Sequence, residues 1–516
     1  MVFSYGVDVL TASKALEISK GKLKTRLTET TKNKIKRSHK AVLAIAQKEK
    51  PVYGINTGFG PLCNTIISKK DTSLLQSNLL KSHAVGVGQP ISIELAKLML
   101  ILKVHSLSQG FSGISMPIMN RILWHIKRDL IPMVPEQGSV GASGDLAPLS
   151  HLFLPLIGEG QIYYQDKLYS TAVILKKFGK KPLNLPPKAG LALINGTQFI
   201  AAHAVMVVTK LHSCLNQADI IGAMMVEALL GSKSPFEAKL HKIRPYKSNI
   251  HVAHRLNALV YQSEIMASHI NCNKVQDPYS LRCMPQVHGS SRKAWLHLKE
   301  ATETEINSVT DNPIIFSEKE TISGGNFHGQ PLALPLDYAA LAAAELGNIS
   351  DRRAYLSLEG KSDGVPKLLL KETGLNSGFM IVQYTGAALV SENKSLCFPA
   401  SADSIPTSLG QEDHVSMGSI SGRKALQICN NLEKILAVEL LCAAQAFDFH
   451  RPLKSSKPIE LIHKHVRSKI KHAKKDRIFG YDINAAIEIV KSNKLIELSS
   501  SFKNLKSPFE KLFESY

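Results

Sequence analysis

Acidic residues are in short supply in this chain, 42 against 63 lysines and arginines, which leaves a net charge of +21. Aromatic residues reach only 6%, with two tryptophans among 516 positions. A basic excess of this size can attract nucleic acid or an anionic surface. The lysines crowd into residues 20–50 and 464–477, and neither stretch has the interleaved aromatics of a single-strand binding platform. Both are expected to be solvated helix faces, and nucleic acid is not expected as a partner.

Cysteine is too sparse and too scattered to build a scaffold. The seven copies (63, 214, 272, 283, 397, 429 and 442) are odd in number and form no C-x-x-C. That argues against a disulfide framework and fits reduced thiols in the cytoplasm. The chain lacks H-E-x-x-H, a phosphate-binding loop and a dinucleotide fingerprint. His125, His151 and His203 lack ligand spacing, so no metal is expected. The opening MVFSYGVD has no basic stretch followed by an apolar core, and no secretory leader is expected. The most membrane-like run, 191–208, carries Asn195, Thr197, Gln198 and His203. A bilayer tolerates such groups badly, so one buried helix is expected there and no membrane association.

What remains is mainly α. A helix is expected over 422–449, with an apolar stripe at Ala425, Cys429, Leu432, Leu436 and Leu440, and another over 336–358 carrying Arg352 and Arg353. Residues 159–170 read as a small hairpin turning at Gln165 and Asp166. Loops rich in Gly, Pro, Asn and Ser are expected at 53–63, 137–148, 277–289, 323–330 and 399–418. A helical scaffold with its polar surprises on such loops does its chemistry there. The expected division is a smaller N-terminal lobe, 1–190, and a long-helix bundle, 191–516.

The segment GSVGASGDLAPLS (138–150) places three small residues, Ala142, Ser143 and Gly144, in a glycine-loosened turn. An amide nitrogen attacks a carbonyl two residues back only where crowding is minimal, and Gly144 has no Cβ to obstruct it. Ring closure with loss of water, then loss of the Ser143 hydroxyl, would leave an electron-poor exocyclic methylene. Asp145 follows directly and would help move protons.

The longer string resembles the histidine, phenylalanine and tyrosine ammonia-lyase family, whose members carry a 4-methylidene-imidazol-5-one (MIO) group made from Ala-Ser-Gly. Further matches occur in the family's order: YGINTGFG (53–60), LALINGTQ (191–198), QDPYSLRC (276–283), GGNFHGQ (324–330) and NSGF (376–379). The resemblance implies a mainly helical fold, MIO from Ala142-Ser143-Gly144 without an external cofactor, and a homotetramer whose sites are each assembled from three subunits.

It also assigns expected roles. Tyr53 matches the base, although a phenol near ~10 must be poised by its surroundings to act at neutral pH. Arg282 matches the residue gripping the substrate carboxylate, a task suited to a planar fork. Asn195 and Tyr279 match groups beside the MIO ring, where they would stabilise developing charge. Gln276 matches a pocket-lining position and Phe327 a contact to the substrate side chain. Asn312, in TDNP (310–313), is expected to be a structural turn residue.

Two positions bear on the substrate. His83, in KSHA (81–84), stands where histidine-acting members carry histidine. The string QEDHVSM (411–417) brings Gln411 and Glu412, and a carboxylate buried against an imidazole finds a donor that a benzene ring lacks. L-Histidine is therefore the expected substrate, with urocanate and ammonia as products. Phenylalanine- or tyrosine-acting lyases and aminomutases with the same group are the near alternatives. An inactive homologue binding anions or nucleic acid is the alternative of another class. Val85, Val382 and Gly386 depart from common bacterial versions.

Overall fold

The computed structural model describes residues 2–516 except 49, 63, 64, 66, 69, 70, 271 and 273. Cys63, named above, lies outside the described residues, and the other six cysteines are free thiols. The chain is mainly helical. Three long helices, Gln198–Ala228, Gln330–Ser357 and Gly418–Phe447, pack side by side, with Met284–Glu305 against the first two. Gln198–Ala228 is long and apolar enough to cross a membrane by length and composition, but 83% of that window is buried inside the protein. Leu215, Ile221 and Val226 on it are fully buried, as befits a helix that is apolar all round.

The helix expected at 422–449 runs Gly418–Phe447, and all five stripe residues are buried. The helix expected at 336–358 starts six residues earlier, in Gln330–Ser357. Pro331 falls in its first turn, where a missing N–H costs nothing. The hairpin forms as Gln161–Tyr164 and Lys167–Ser170, with Gln165 and Asp166 both at positive φ. That left-handed pair matches the twist of the flanking strands.

Two local expectations are corrected. Residues 277–289 are not one loop: helices Tyr279–Arg282 and Met284–Glu305 occupy most of the stretch, the second again with a proline, Pro285, at its start. The run 191–208 is not one helix but two, Ala189–Ile194 and Gln198–Ala228. Gly196 sits between them at φ +133°, outside the helical region, so the break falls on the glycine. One buried apolar cluster extends from Phe3 to Leu505.

Candidate active site

The Ala142-Ser143-Gly144 turn sits between the strand Pro135–Gln137 and the helix Leu146–Phe153, pressed against the helix break at 195–197. Gly144 adopts φ +76°, and a Cβ there would lie 2.2 Å from the Gly196 carbonyl oxygen, so no other residue fits. Asn195 Nδ2 donates to the Ser143 carbonyl at 2.7 Å. Asn195 Oδ1 is buried and has no hydrogen-bond partner among the described residues, which leaves an acceptor unmet beside the turn. The Ser143 hydroxyl donates to Glu412 Oε1. Glu412 Oε2 is held in turn by the Thr407 and Ser408 hydroxyls at 3.0 and 3.1 Å.

Asp145 precedes a helix yet does not cap it. Its carboxylate accepts the backbone N–H groups of Phe199 and Ile200, both at 3.0 Å, and the Ser139 hydroxyl at 3.0 Å. It thus satisfies the buried N-terminus of the long helix Gln198–Ala228, where an acidic partner is favoured. Complete burial nevertheless pushes its pKa up to about 7, against the lowering effect of those three donors.

The 411–418 segment closes over the turn from the other side. Met417 N donates to Val140 O at 2.9 Å, and Ser416 Oγ to Gly141 O at 3.0 Å. Half-buried Phe327 lies on a loop whose Gly329 N donates to Gly141 O at 3.3 Å. His83 ends the helix Thr72–His83. Burial lowers its pKa while the Glu412 charge pulls it back up, so the two lie within electrostatic reach. Tyr53 is half-buried, its hydroxyl accepting from Gly60 N at 3.3 Å, and residues 60–62 lie against 408–410 beside Glu412. Asn312 is buried, its Oδ1 accepting from Gly324 N at 2.8 Å.

Three of the expected residues lie elsewhere. Tyr279 is 71% exposed, with the Arg282 guanidinium 5.3 Å from its ring centroid, and Gln276 is exposed nearby. This segment is tied to the far end of the long helix: Ser232 N donates to Asp277 at 2.6 Å, and Leu281 lies against Gly231. Ser143 packs at the near end, and 31 helical residues span about 45 Å. Gln411 is exposed at the rim beside Glu412.

The structure also brings in residues that sequence reasoning missed. Lys103 is fully buried in the helix Ile93–Leu107, donating to Asn195 O at 2.6 Å and Gln198 Oε1 at 3.3 Å. Lys188 pairs with Asp311 at 2.8 Å, both buried. Lys103 leaves a faint trace in the sequence, a lone charge inside the apolar run LMLILKVHSL (98–107). Among the described residues, no three His, Cys, Asp or Glu side chains are grouped to hold a metal.

Comparison with known proteins points the same way. The profile of the aromatic amino acid lyase family matches residues 10–468. A histidine ammonia-lyase of Myxococcus xanthus is 44% identical over 490 residues, covering 95% of this chain and 96% of that protein. A human histidine ammonia-lyase is 43% identical, covering 96% and 76% respectively. The solved histidine ammonia-lyase of Trypanosoma cruzi superposes with a TM-score of 0.90 at 39% identity, over 99% of both chains. A tyrosine aminomutase of Streptomyces globisporus reaches 0.91 at 33% identity, over 97% and 99%, so the fold by itself does not select the substrate. With a matching profile over most of its length and full-length relatives above 40% identity, the chain belongs to the aromatic amino acid lyase family.

Proposed function

We propose that this ammonia-lyase eliminates ammonia from L-histidine to give trans-urocanate, using MIO formed from Ala142, Ser143 and Gly144. The observation that carries the reading is the convergence on Ser143: Asn195 on its carbonyl, Glu412 on its hydroxyl, and His83 within reach of the Glu412 charge. The residues fit the group, since only glycine is accommodated at 144 and the Ser143 carbonyl already has its donor. Once formed, the group supplies an electron-poor alkene that activates the substrate toward loss of its amine.

The chain's own residues do the rest. The Asn195 amide stabilises negative charge developing on the Ser143 oxygen, where a fixed donor is worth more than in water. Glu412, steadied by Thr407 and Ser408, accepts an N–H of the substrate imidazole or amine. His83 and Phe327 line the side-chain pocket, with Gln411 at its edge. Tyr53 removes the β-proton, and its loop against 408–410 shields the pocket from water.

Arg282 grips the carboxylate, and Tyr279 and Gln276 complete the wall. Their place beyond the far end of the long helix, which spans about 45 Å, supports their coming from other copies. We propose a homotetramer with shared sites. An exposed apolar stripe on Gln330–Ser357, formed by Leu334, Tyr338, Leu341 and Tyr355, supports it as a surface for burial between copies.

Wild type and Ser143→Ala are to be compared by intact mass and by urocanate absorbance with L-histidine. A wild type two waters light that makes urocanate, beside a variant that does neither, supports both assignments. Two missing waters with histidine untouched refutes the substrate and leaves tyrosine and phenylalanine to be tried. Full mass without activity refutes the electrophile.

A further inference from the structure

The break at 195–197 interrupts what would otherwise be one continuous helix, and two of the backbone pairs it parts bear on the site. Asn195 O and Phe199 N would bond each other, as would Gly196 O and Ile200 N. Each of the four is satisfied from outside. Asp145 N donates to Gly196 O at 2.7 Å, and the Asp145 carboxylate accepts Phe199 N and Ile200 N. The Asn195 carbonyl is taken by Lys103 Nζ at 2.6 Å, with Gln198 Oε1 as its second acceptor at 3.3 Å. Gln198 is itself fixed by Thr310 at 2.9 Å.

Lys103 stands between Leu102 and Val104, both buried, where burying an amine costs several kcal/mol that an apolar residue would not. Burial drives its pKa down to about 7, with Lys188 adding to the effect and Asp311 and Asp145 opposing it. Charged or neutral, the amine keeps enough N–H groups for both acceptors. Resting on the assignment of residues 142–144 as the electrophile, we propose that Lys103 is a positioning residue. It holds the helix open at Asn195, and so keeps the Asn195 amide on the Ser143 carbonyl. Without it, the Asn195 carbonyl regains a partner by returning to Phe199 N, which rebuilds the helix and draws the Asn195 side chain off Ser143.

The test compares wild type, Lys103→Met and Lys103→Gln by intact mass, kcat and KM with L-histidine, and Tm. Methionine fills the space without a donor, whereas glutamine keeps one. The expected Lys103→Met protein either retains water in the 142–144 segment or turns over about 10²-fold more slowly with KM within about twofold, at a Tm within about 5 °C of wild type. Lys103→Gln is expected to recover about tenfold of that loss. A Lys103→Met protein that lacks the same two waters as wild type and keeps the wild-type kcat overturns the proposal. So does a loss of kcat that merely tracks a loss of folded protein and is no smaller in Lys103→Gln. If the methionine variant does not fold, Lys103→Gln decides alone: slower turnover at unchanged KM and Tm supports the role, and wild-type turnover overturns it. A wild type of full mass instead refutes the electrophile assignment underneath.

Discussion

Ser143 and Tyr279 pack near opposite ends of one long helix, and their settings are opposite too. Around Ser143, the chain supplies its own donors and acceptors: Asn195, Glu412, Asp145 and Lys103 converge from four separate stretches of sequence. Around Tyr279, the ring is 71% exposed and the cation over its face is its own helix neighbour, Arg282. The first region is buried and held rigidly by groups of its own chain, the setting that the proposed cyclisation needs. The second is presented outward. In the proposed function, the electrophile comes from one chain and the carboxylate grip from a neighbour.

The largest effect is expected from breaking the wired half. Asn195→Ala removes the donor on the Ser143 carbonyl and should lower kcat by about 10²–10³-fold, as loss of one preorganised donor does, with KM little changed. Steady-state kinetics with urocanate absorbance checks it, and a fall mainly in KM would blur the contrast between the two regions.

Breaking the outward half should read differently. Arg282→Met is expected to raise KM by about 10–100-fold, the worth of a charge-assisted bond to a carboxylate. Dissociating Asn195→Ala and Arg282→Met proteins together and reassembling them should recover activity several-fold above either parent. Mixed assemblies would then hold some sites with both residues intact. No recovery in assemblies shown to be mixed would mean that one copy supplies both halves.

The smallest effect sharpens the cost of the wiring. Lys103 in the folded chain sits well below its usual 10.5, at about 7, through burial and Lys188, with Asp311 and Asp145 opposing. Below pH ~7 both folded and unfolded chains carry the proton, so the burial penalty is complete. Between about 7 and 10.5 the unfolded state binds more protons, and stability rises with pH. Wild type should therefore gain a few degrees in Tm relative to Lys103→Met between pH 7 and 10, read by thermal melts of both proteins. A constant difference would show that Lys103 changes its charge alike in both states.

Much of this was legible beforehand because the information is local. The stripe from Ala425 to Leu440 reports a helix whatever it packs on, and a turn at Gln165 and Asp166 needs only short-range sterics. The motifs around Ser143, Asn195 and Glu412 likewise lie in contiguous strings. The helix break at Gly196 was not legible, since a run as apolar as 191–208 favours continuity and only distant side chains compensate the interruption. Nor was the helix at Met284–Glu305, where proline and glycine suggest a loop until tertiary packing overrides them.

By itself, then, the sequence determined the helical class, the family and the small-residue turn, because periodicity, steric freedom and motif order are properties of neighbouring residues. Only the tertiary structure decided that Lys103 and Asp145 complete a broken helix, that Glu412 meets Ser143, and that Tyr279 stands a helix-length away. Those facts depend on hydrogen bonds and distances between residues tens to hundreds of positions apart, which become defined only when the buried core brings their helices together.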